Sequence, residues 1–381
     1  MNKYLILCLL FSTLLRAQSG SVTHTSDHLP WGGYWWSMEK GQNALGWYSQ
    51  THPDRDIFTV NEVKIFDECL TVFSYECNSI LEEMAGFEGR RLSPLMKYDY
   101  FVRRTLGPDV ESIFFTHAAK REIDIHYIGG NPDHPLYENR GFAGKCIGWA
   151  LSTIDYKEPL KDTLVNGILF TPADIKALLA VKYNAAQLFV GDRFVGNSYL
   201  MSTHDDFKEE YYEDVTPKQL LIGFEKTINK GRILEADLDP DFGVWNYPVF
   251  KYDFNWTQEA NEVNGEITIF YMNDEVGLDD VFSIEDLLIE DREDVKTRSY
   301  TFRLIVNGRF SGASEQVISS RWIGQSMDNH PDTLILGTES YWDENIADYD
   351  DADNTEFNFE VFKEDFLNSI INSYDPKLKT I

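Results

Sequence analysis

Cys146 is the residue of this sequence whose type and surroundings most directly indicate chemistry. It lies between two glycines in the segment GKCIG, and an apolar run typical of a helix follows it. A thiol reacts as its thiolate, and a helix N-terminus or a neighbouring cation lowers the thiol pKa from about 8.5. The segment therefore predicts either a nucleophile at the start of a helix or a small buried residue beside Trp149.

A cysteine nucleophile needs a proton acceptor and a group that orients the acceptor. Asp237 is a candidate for the orienting acid because it precedes a turn in the segment EADLDPDFGVWNYP. The alternative is that Asp237 only caps this turn. Among the histidines, His126 lies in the segment EIDIHYIGG, whose pattern predicts a strand with the imidazole in the core or at an edge.

The elements around these residues predict a mixed α+β fold. The segments FTPADIKALLAVKY and VTPKQLLIGFEKTI each place Thr at the helix N-cap and Pro at the first helical position. The segments GEITIFYM, RSYTFRLIV and DTLILGTESYW alternate as strands do. Near the C-terminus, VFKEDFLNSIINSY predicts a helix with Phe362, Phe366, Ile370 and Ile371 on one face.

The stretch from Thr59 to Gly86 has the apolar spacing of one continuous amphipathic helix. Thr59 and Glu62 fit a capping box at its start, and Gly86 fits its end. Cys69 and Cys77 are both in this stretch, and eight residues along a helix rise about 12 Å. A disulfide needs Cα atoms within about 7 Å. The sequence therefore predicts two buried thiols that form no bridge.

The chain of 381 residues has a formal net charge of −29, which disfavours nucleic acid and anionic membrane surfaces as partners. Residues 1–17 combine Lys3 with an apolar run from Tyr4 to Leu15, the pattern of a secretory signal peptide. No other run is long and apolar enough to cross a bilayer. We therefore expect a secreted or periplasmic protein that is not embedded in a membrane.

The chain divides into three regions by composition: the signal peptide at 1–17, a mixed core at 18–254 that carries Cys146, and an acidic, β-rich region at 255–381. Within the acidic region, the run DENIADYDDADNTE offers hard oxygen ligands for calcium. No register of this run fits an EF-hand loop, and the alternative is a solvated acidic loop. The candidate ligands are Asp348, Asp350, Asp351, Asp353 and Glu356.

Several segments together resemble the transglutaminase elicitor family, whose founding members are secreted by Phytophthora and which has bacterial relatives. They are KCIGWAL, EPL, FTPADIKALLAVKY, DVTPKQLL and VWNYPVFKYDF, in that order. The surface peptide of that family begins Val-Trp-Asn-Gln-Pro-Val, and this chain matches it at five of six positions, with Tyr247 in place of Gln. The resemblance extends from about Leu29 to Trp342.

The resemblance implies a papain-like/transglutaminase-like cysteine fold and thiol acyl transfer. In that chemistry Cys146 attacks a protein glutamine carboxamide, ammonia leaves, and a lysine amine takes the acyl group to form an isopeptide crosslink. The resemblance also implies that Asp237 orients the base. The chemistry that the resemblance implies requires no cofactor. The implied partners are protein substrates or cell-wall proteins. The oligomeric state is left open.

The position that corresponds to the base histidine is occupied by Leu221, which cannot accept a proton. Either His204 or His330 replaces it in space, or the register of the comparison is different. Two alternatives to an active transglutaminase follow. One is a catalytically inactive relative that acts as a binding or wall-associated protein. The other is a papain-like cysteine protease, because water can take the same thioester.

Overall fold

The computed structural model describes residues 18–129, 144–183, 189–190, 215–238, 245–279, 292–327, 329–336 and 364–374. The α-helices, numbered in chain order, are α1 (Gln42–Leu45), α2 (Val60–Leu70), α3 (Tyr75–Ala85), α4 (Pro94–Leu106), α5 (Ala118–His126), α6 (Cys146–Asp155), α7 (Pro172–Tyr183), α8 (Pro217–Lys226) and α9 (Glu364–Tyr374). The strands are β1 (Gln18–Thr25), β2 (Thr163–Val165), β3 (Ile168–Phe170), β4 (Phe189–Val190), β5 (Leu234–Asp237), β6 (Asn246–Glu259), β7 (Glu262–Met272), β8 (Val295–Val306), β9 (Val317–Trp322) and β10 (Thr333–Ile335). The expected signal peptide lies outside the described residues.

Eight of these strands form one antiparallel sheet in the order β4-β10-β5-β6-β7-β8-β9, and β1 also pairs with β6. The long strand β6 organises the sheet: β5 pairs with its first residues and β1 with residues further along it. Phe254 lies within β6. The sheet therefore joins residues from both sides of the division that composition suggests after residue 254.

Side chains alternate across β5 and separate two cores. Leu234 and Ala236 belong to a core shared with Leu220, Leu221 and other side chains of α8. Because successive strand residues point to opposite faces, Glu235 and Asp237 point to the other face of the sheet. That face is covered by α6, which packs on β5 and β6 and whose Trp149 belongs to a larger, mainly helical core. We call these the α8 core and the α6 core.

The helix starts predicted from Thr-Pro pairs are confirmed. The Thr216 side chain accepts a hydrogen bond from the Gln219 amide, and the Gln219 side chain completes a capping box at the start of α8. At α7 the Thr171 hydroxyl accepts from the amide of Asp174 at 3.2 Å. These bonds satisfy amides that have no partner within the helix. The strands predicted at β7, β8 and β10 and the C-terminal helix α9 are also present.

The prediction of one continuous helix from Thr59 to Gly86 is wrong in its middle. The helix ends at Leu70, and α3 begins after Ser74, whose side chain accepts a hydrogen bond from the Cys77 amide. The chain reverses between the two helices, so the Cα atoms of Cys69 and Cys77 are 5.0 Å apart and the residues form a disulfide. The prediction of two free thiols therefore fails, because it assumed a helical rise that Ser74 interrupts.

The prediction of a strand around His126 is also wrong. Residues 118–126 form α5, and Asp99 of α4 accepts hydrogen bonds from the Ala118 and Ala119 amides at 2.9 Å each. This cap comes from a helix that is distant in sequence, so local periodicity could not reveal it. In the part of the chain that the structure describes, no helix is long and apolar enough to cross a membrane.

Candidate active site around Cys146

Cys146 is the first residue of α6, and the backbone before it is tightly held. The Lys145 amide donates to the Trp35 carbonyl oxygen at 2.5 Å, and the Lys145 carbonyl accepts from the Trp149 amide at 3.0 Å. A Cβ atom on Gly144 would lie 2.4 Å from the Trp35 ring, so only glycine fits there. The segment GKC therefore fixes the position of the thiol at a helix N-terminus.

The neighbouring cation does not serve the thiol, because Lys145 is engaged elsewhere. Its ammonium nitrogen lies 3.2 Å from Glu122 Oε1 and 3.0 Å from His126 Nδ1, and all three side chains are buried. Burial alone would raise the pKa of Glu122, but the charges of Lys145 and His126 outweigh it and lower this pKa to about 2. The Lys145 charge is thus neutralised by Glu122. His126 belongs to the same cluster, because its Nδ1 lies 2.8 Å from Glu122 Oε2.

The thiol faces strands β5 and β6 and is surrounded by acidic groups. Burial raises the pKa of Cys146 to about 12, and the charges of Asp274, Asp237 and Glu235 act in the same direction. A hydrogen bond from the Asn246 backbone amide acts in the opposite direction. Cys146 is 5% exposed. In the described surroundings the neutral thiol is therefore strongly favoured over the thiolate.

Asp237, the candidate orienting acid, belongs to the strand that α6 covers. It ends β5, directly opposite Asn246 in the register of β5 and β6, and its Oδ1 accepts a hydrogen bond from the Trp245 amide at 3.0 Å. Directly opposed residues of antiparallel strands point to the same face. Asp237 thus shares the α6 face with the residues around the thiol, and this bond also caps the start of β6.

The structure does not bring Leu221 or His330 to the thiol. Leu221 is buried in the α8 core, on the opposite face of the sheet from α6. The His330 ring stacks on Trp322 at 5.2 Å, and Trp322 packs against that same core. The register that assigns the base position to Leu221 is therefore inconsistent with this geometry. His204 lies outside the described residues.

A cavity of about 430 Å³ abuts the site. Its walls include Trp35 and Trp245, whose rings meet edge to face at 5.7 Å, together with Tyr247 and Asp274. Tyr247 and Asp274 also interact electrostatically with Cys146, which places the cavity beside the thiol. Its mixed aromatic and charged lining suits a polar side chain with an apolar stem.

Sequence reasoning selected Cys146 and Asp237 as candidates, but it did not select Glu235, Asn246 and Asp274, which also act on the thiol. The alternation of ILEADL contained a signal for one of them, because a strand that places Asp237 on the α6 face also places Glu235 there. Within the described ranges, no group of three or more His, Cys, Asp or Glu residues is arranged to hold a metal ion. The candidate calcium ligands Asp348, Asp350, Asp351, Asp353 and Glu356 lie outside those ranges.

Comparisons with known proteins support the resemblance found in the sequence. Residues 137–281 match the model of the transglutaminase elicitor family. This segment contains Cys146, Asp237 and strands β5 to β7. A search of curated proteins found no match.

The fold is also similar to a solved structure, the GP42 transglutaminase from Phytophthora sojae. The alignment has a TM-score of 0.50 and 15% sequence identity, and it covers 83% of this chain and 84% of that chain. At this identity the match shows a shared mixed helix-and-sheet fold. The resemblance to the transglutaminase elicitor family therefore holds in sequence for residues 137–281 and in architecture for most of the chain.

Proposed function

We propose that this protein is a secreted thiol acyltransferase that crosslinks proteins. Cys146 attacks the carboxamide carbon of a protein glutamine, and the thiol proton leaves with the amide nitrogen as ammonia. A lysine amine then displaces the thiolate from the thioester, and the proton it loses restores the thiol. The observation that carries the proposal is the position of Cys146: it begins α6, faces Asn246 and Asp237, and lies in the segment that matches the family model.

Thiolate formation in this site requires a cationic partner. Three carboxyl groups act on the thiol and raise its pKa. An imidazolium between Cys146 and Asp237 would lower the thiol pKa again, because its positive charge stabilises the thiolate. The His330 ring stacks on Trp322, whose side chain packs against the α8 core. We propose that His204 provides the imidazole and Asp237 orients it. The reaction itself needs no metal or organic cofactor.

Secretion is supported by the disulfide between Cys69 and Cys77. Disulfides persist in oxidising compartments and are rare in the reducing cytosol. The expected signal peptide would deliver the chain to such a compartment, where protein or cell-wall substrates are available. Detection of the protein in periplasmic or culture fractions tests this part of the proposal.

A second candidate function is binding without turnover, and a specific observation favours it. The pKa of Cys146 is raised to about 12 by burial and by the surrounding carboxyl groups, which opposes nucleophilic attack at neutral pH. An inactive relative would keep the fold and the cavity beside the thiol but form no thioester. It would act through the protein or wall component that it binds.

The pH dependence of Cys146 alkylation separates the two candidates. Iodoacetamide labelling of the Cys146 peptide is followed by mass spectrometry from pH 5 to 11. An active nucleophile gives a midpoint below about pH 8, and His204→Ala moves it upward. A midpoint above about pH 10 in the wild type contradicts the acyltransferase proposal and supports binding alone.

Incorporation of a fluorescent amine into casein then tests the reaction class. We expect incorporation with the wild type, none with Cys146→Ala, and a decrease of about 10²–10⁴-fold with His204→Ala. Casein cleavage without amine incorporation would assign the site to a cysteine protease. His330→Ala is the matched control, because the His330 ring stacks on Trp322, which packs against the α8 core, and its removal should leave the rate unchanged.

A further inference from the structure

Glu235 is a buried acid that the mechanism above does not use. It lies in the middle of β5 and is 0% exposed. Its place in the strand puts it on the same face as Asp237, and Asn246 is directly opposite Asp237 on β6. All three residues therefore point toward α6, on the face where Cys146 lies.

Both carboxyl oxygens of Glu235 lack a hydrogen-bond partner among the residues that the structure describes. The side-chain nitrogen of Asn246 is buried and likewise without a partner within the described ranges. A buried polar group without a partner loses its hydration and gains nothing in return, so such groups are rare in folded proteins. Two of them on neighbouring strands form a set of unused donors and acceptors.

The charge state of Glu235 determines what it offers to a ligand. Burial and the neighbouring charge of Asp237 hold the pKa of Glu235 well above its usual value. Both effects favour the neutral acid, which has one O–H donor and one carbonyl acceptor. Asn246 adds two N–H donors from its side-chain nitrogen.

These groups lie close to the thiol. The Asn246 backbone amide donates a hydrogen bond to Cys146, and ionisation of Glu235 would act on the same sulfur through its charge. The cavity walled by Tyr247 and Asp274 lies beside this point, because both residues also interact electrostatically with Cys146. A small polar group that enters the cavity as far as the thiol would meet Glu235 and Asn246.

We infer that Glu235 and Asn246 are specificity-determining residues that recognise a primary carboxamide at Cys146. A carboxamide has an oxygen that accepts and a nitrogen that donates, which is the complement of a neutral carboxylic acid beside an amide NH₂. A carboxylate has no donor for the Glu235 carbonyl oxygen, and the neighbouring charge of Asp237, which also acts on Glu235, repels it. The inference rests on the proposed function, in which the group attacked by Cys146 is a glutamine carboxamide.

A structural role for Glu235 makes a different prediction. A buried acid that stabilises the fold has a partner, and its removal destabilises the protein. An acid kept for a ligand is tolerated at the expense of stability, so an apolar side chain of similar size should leave the fold intact or improve it. Glu235→Leu thus separates the two roles, and Glu235→Gln retains donors and acceptors without an ionisable proton.

The test measures binding of propionamide, which reproduces the end of a glutamine side chain, with propionate as the matched control. Binding is read from the rise in melting temperature and from protection of Cys146 against methyl methanethiosulfonate. We expect wild type and Glu235→Gln to bind propionamide and not propionate. Glu235→Leu should bind about 10-fold more weakly, since it leaves the carboxamide without its partner. Asn246→Ala should weaken binding in the same direction and replaces the leucine variant if that variant does not fold.

The outcomes distinguish this inference from the proposed function. Propionamide binding that depends on Glu235, without amine incorporation into casein, supports the inference and contradicts the acyltransferase activity. Normal amine incorporation by Glu235→Leu with an unchanged KM for the glutamine donor contradicts the inference and leaves the activity standing. Equal propionamide binding by wild type and Glu235→Leu, or no binding by wild type, overturns the inference.

Discussion

Two buried acids in this molecule have opposite surroundings. Asp174 at the start of α7 is fully buried, yet its Oδ1 lies 2.6 Å from Arg55 Nη2 and its Oδ2 lies 2.6 Å from Lys97 Nζ. The Thr171 amide donates to the same carboxylate at 2.8 Å. Burial alone would raise the pKa of Asp174, but Arg55 and Lys97 outweigh it and lower this pKa to about 2.

Glu235 is equally buried, but its surroundings shift the pKa of its carboxyl group in the opposite direction. Its carboxyl oxygens have no hydrogen-bond partner in the described part of the chain, and its pKa is raised rather than lowered. Burial by itself therefore does not identify a functional acid in this fold. The informative feature is burial without a partner, because the fold gains nothing from such a group and its retention needs another explanation.

The largest effect is expected at the paired acid. Asp174→Ala leaves Arg55 and Lys97 buried without their counter-charge, and we expect a loss of about 3–5 kcal/mol in the free energy of unfolding. Urea unfolding followed by tryptophan fluorescence measures it. A loss below about 1 kcal/mol would show that the carboxylate does not hold these cations, and the contrast with Glu235 would fail.

The second prediction compares two buried glutamates. Glu158 is paired with Lys176 at 2.6 Å, so Glu158→Leu should lower the free energy of unfolding by about 3 kcal/mol. Glu235→Leu removes an unpartnered acid and should raise it by about 1–3 kcal/mol. Parallel urea titrations give both values. Destabilisation by both variants would indicate that Glu235 supports the fold.

Several elements of the fold follow from local sequence patterns. The Thr-Pro starts of α7 and α8, the strands β7, β8 and β10, and the helix α9 have signals within a few residues of each other. The wrong predictions have two kinds of cause: a contact from a distant part of the chain, or a local signal hidden within a regular apolar pattern. The cap of α5 comes from Asp99 of another helix, and the Ser74 cap that separates α2 from α3 lies inside a regular apolar pattern.

The site was less accessible to sequence reasoning than the fold. Cys146 could be predicted from its glycine-flanked segment, and Asp237 from its turn. The acidic surroundings of the thiol could not be predicted, because they depend on how β5, β6 and the segment after β7 meet α6 in space. Lys145 precedes the thiol in sequence, but its side chain extends to Glu122 of α5.

The pH dependence of stability provides a third test, because the two acids titrate in opposite directions. The pKa of Asp174 is lower in the folded state, so its contribution is present above about pH 4 and is lost as the pH falls toward 2. The pKa of Glu235 is raised, so its contribution is present below its ordinary value of 4.5 and is lost as the pH rises toward its folded pKa.

Glu235→Gln removes only the second of these titrations. Relative to wild type, its free energy of unfolding should therefore increase with pH above 4.5, by up to about 1.4 kcal/mol per pH unit. Urea titrations of both proteins at pH 4.5, 6 and 7.5 measure the difference. A difference that does not change with pH would mean that Glu235 does not titrate differently in the folded and unfolded protein.

The smallest effect is expected at an exposed ion pair, which serves as a reference for the buried ion pairs of Asp174. Lys120 and Asp124 form an ion pair one turn apart on α5, and both side chains are exposed to solvent, by 39% and 44%. Water screens this pair, so Asp124→Ala should change the free energy of unfolding by about 0.5 kcal/mol or less. The same urea titration used for Asp174→Ala measures it. If the two alanine variants lost similar amounts, burial would not explain the strength of the Asp174 interactions, and an unpartnered buried acid such as Glu235 would not be costly.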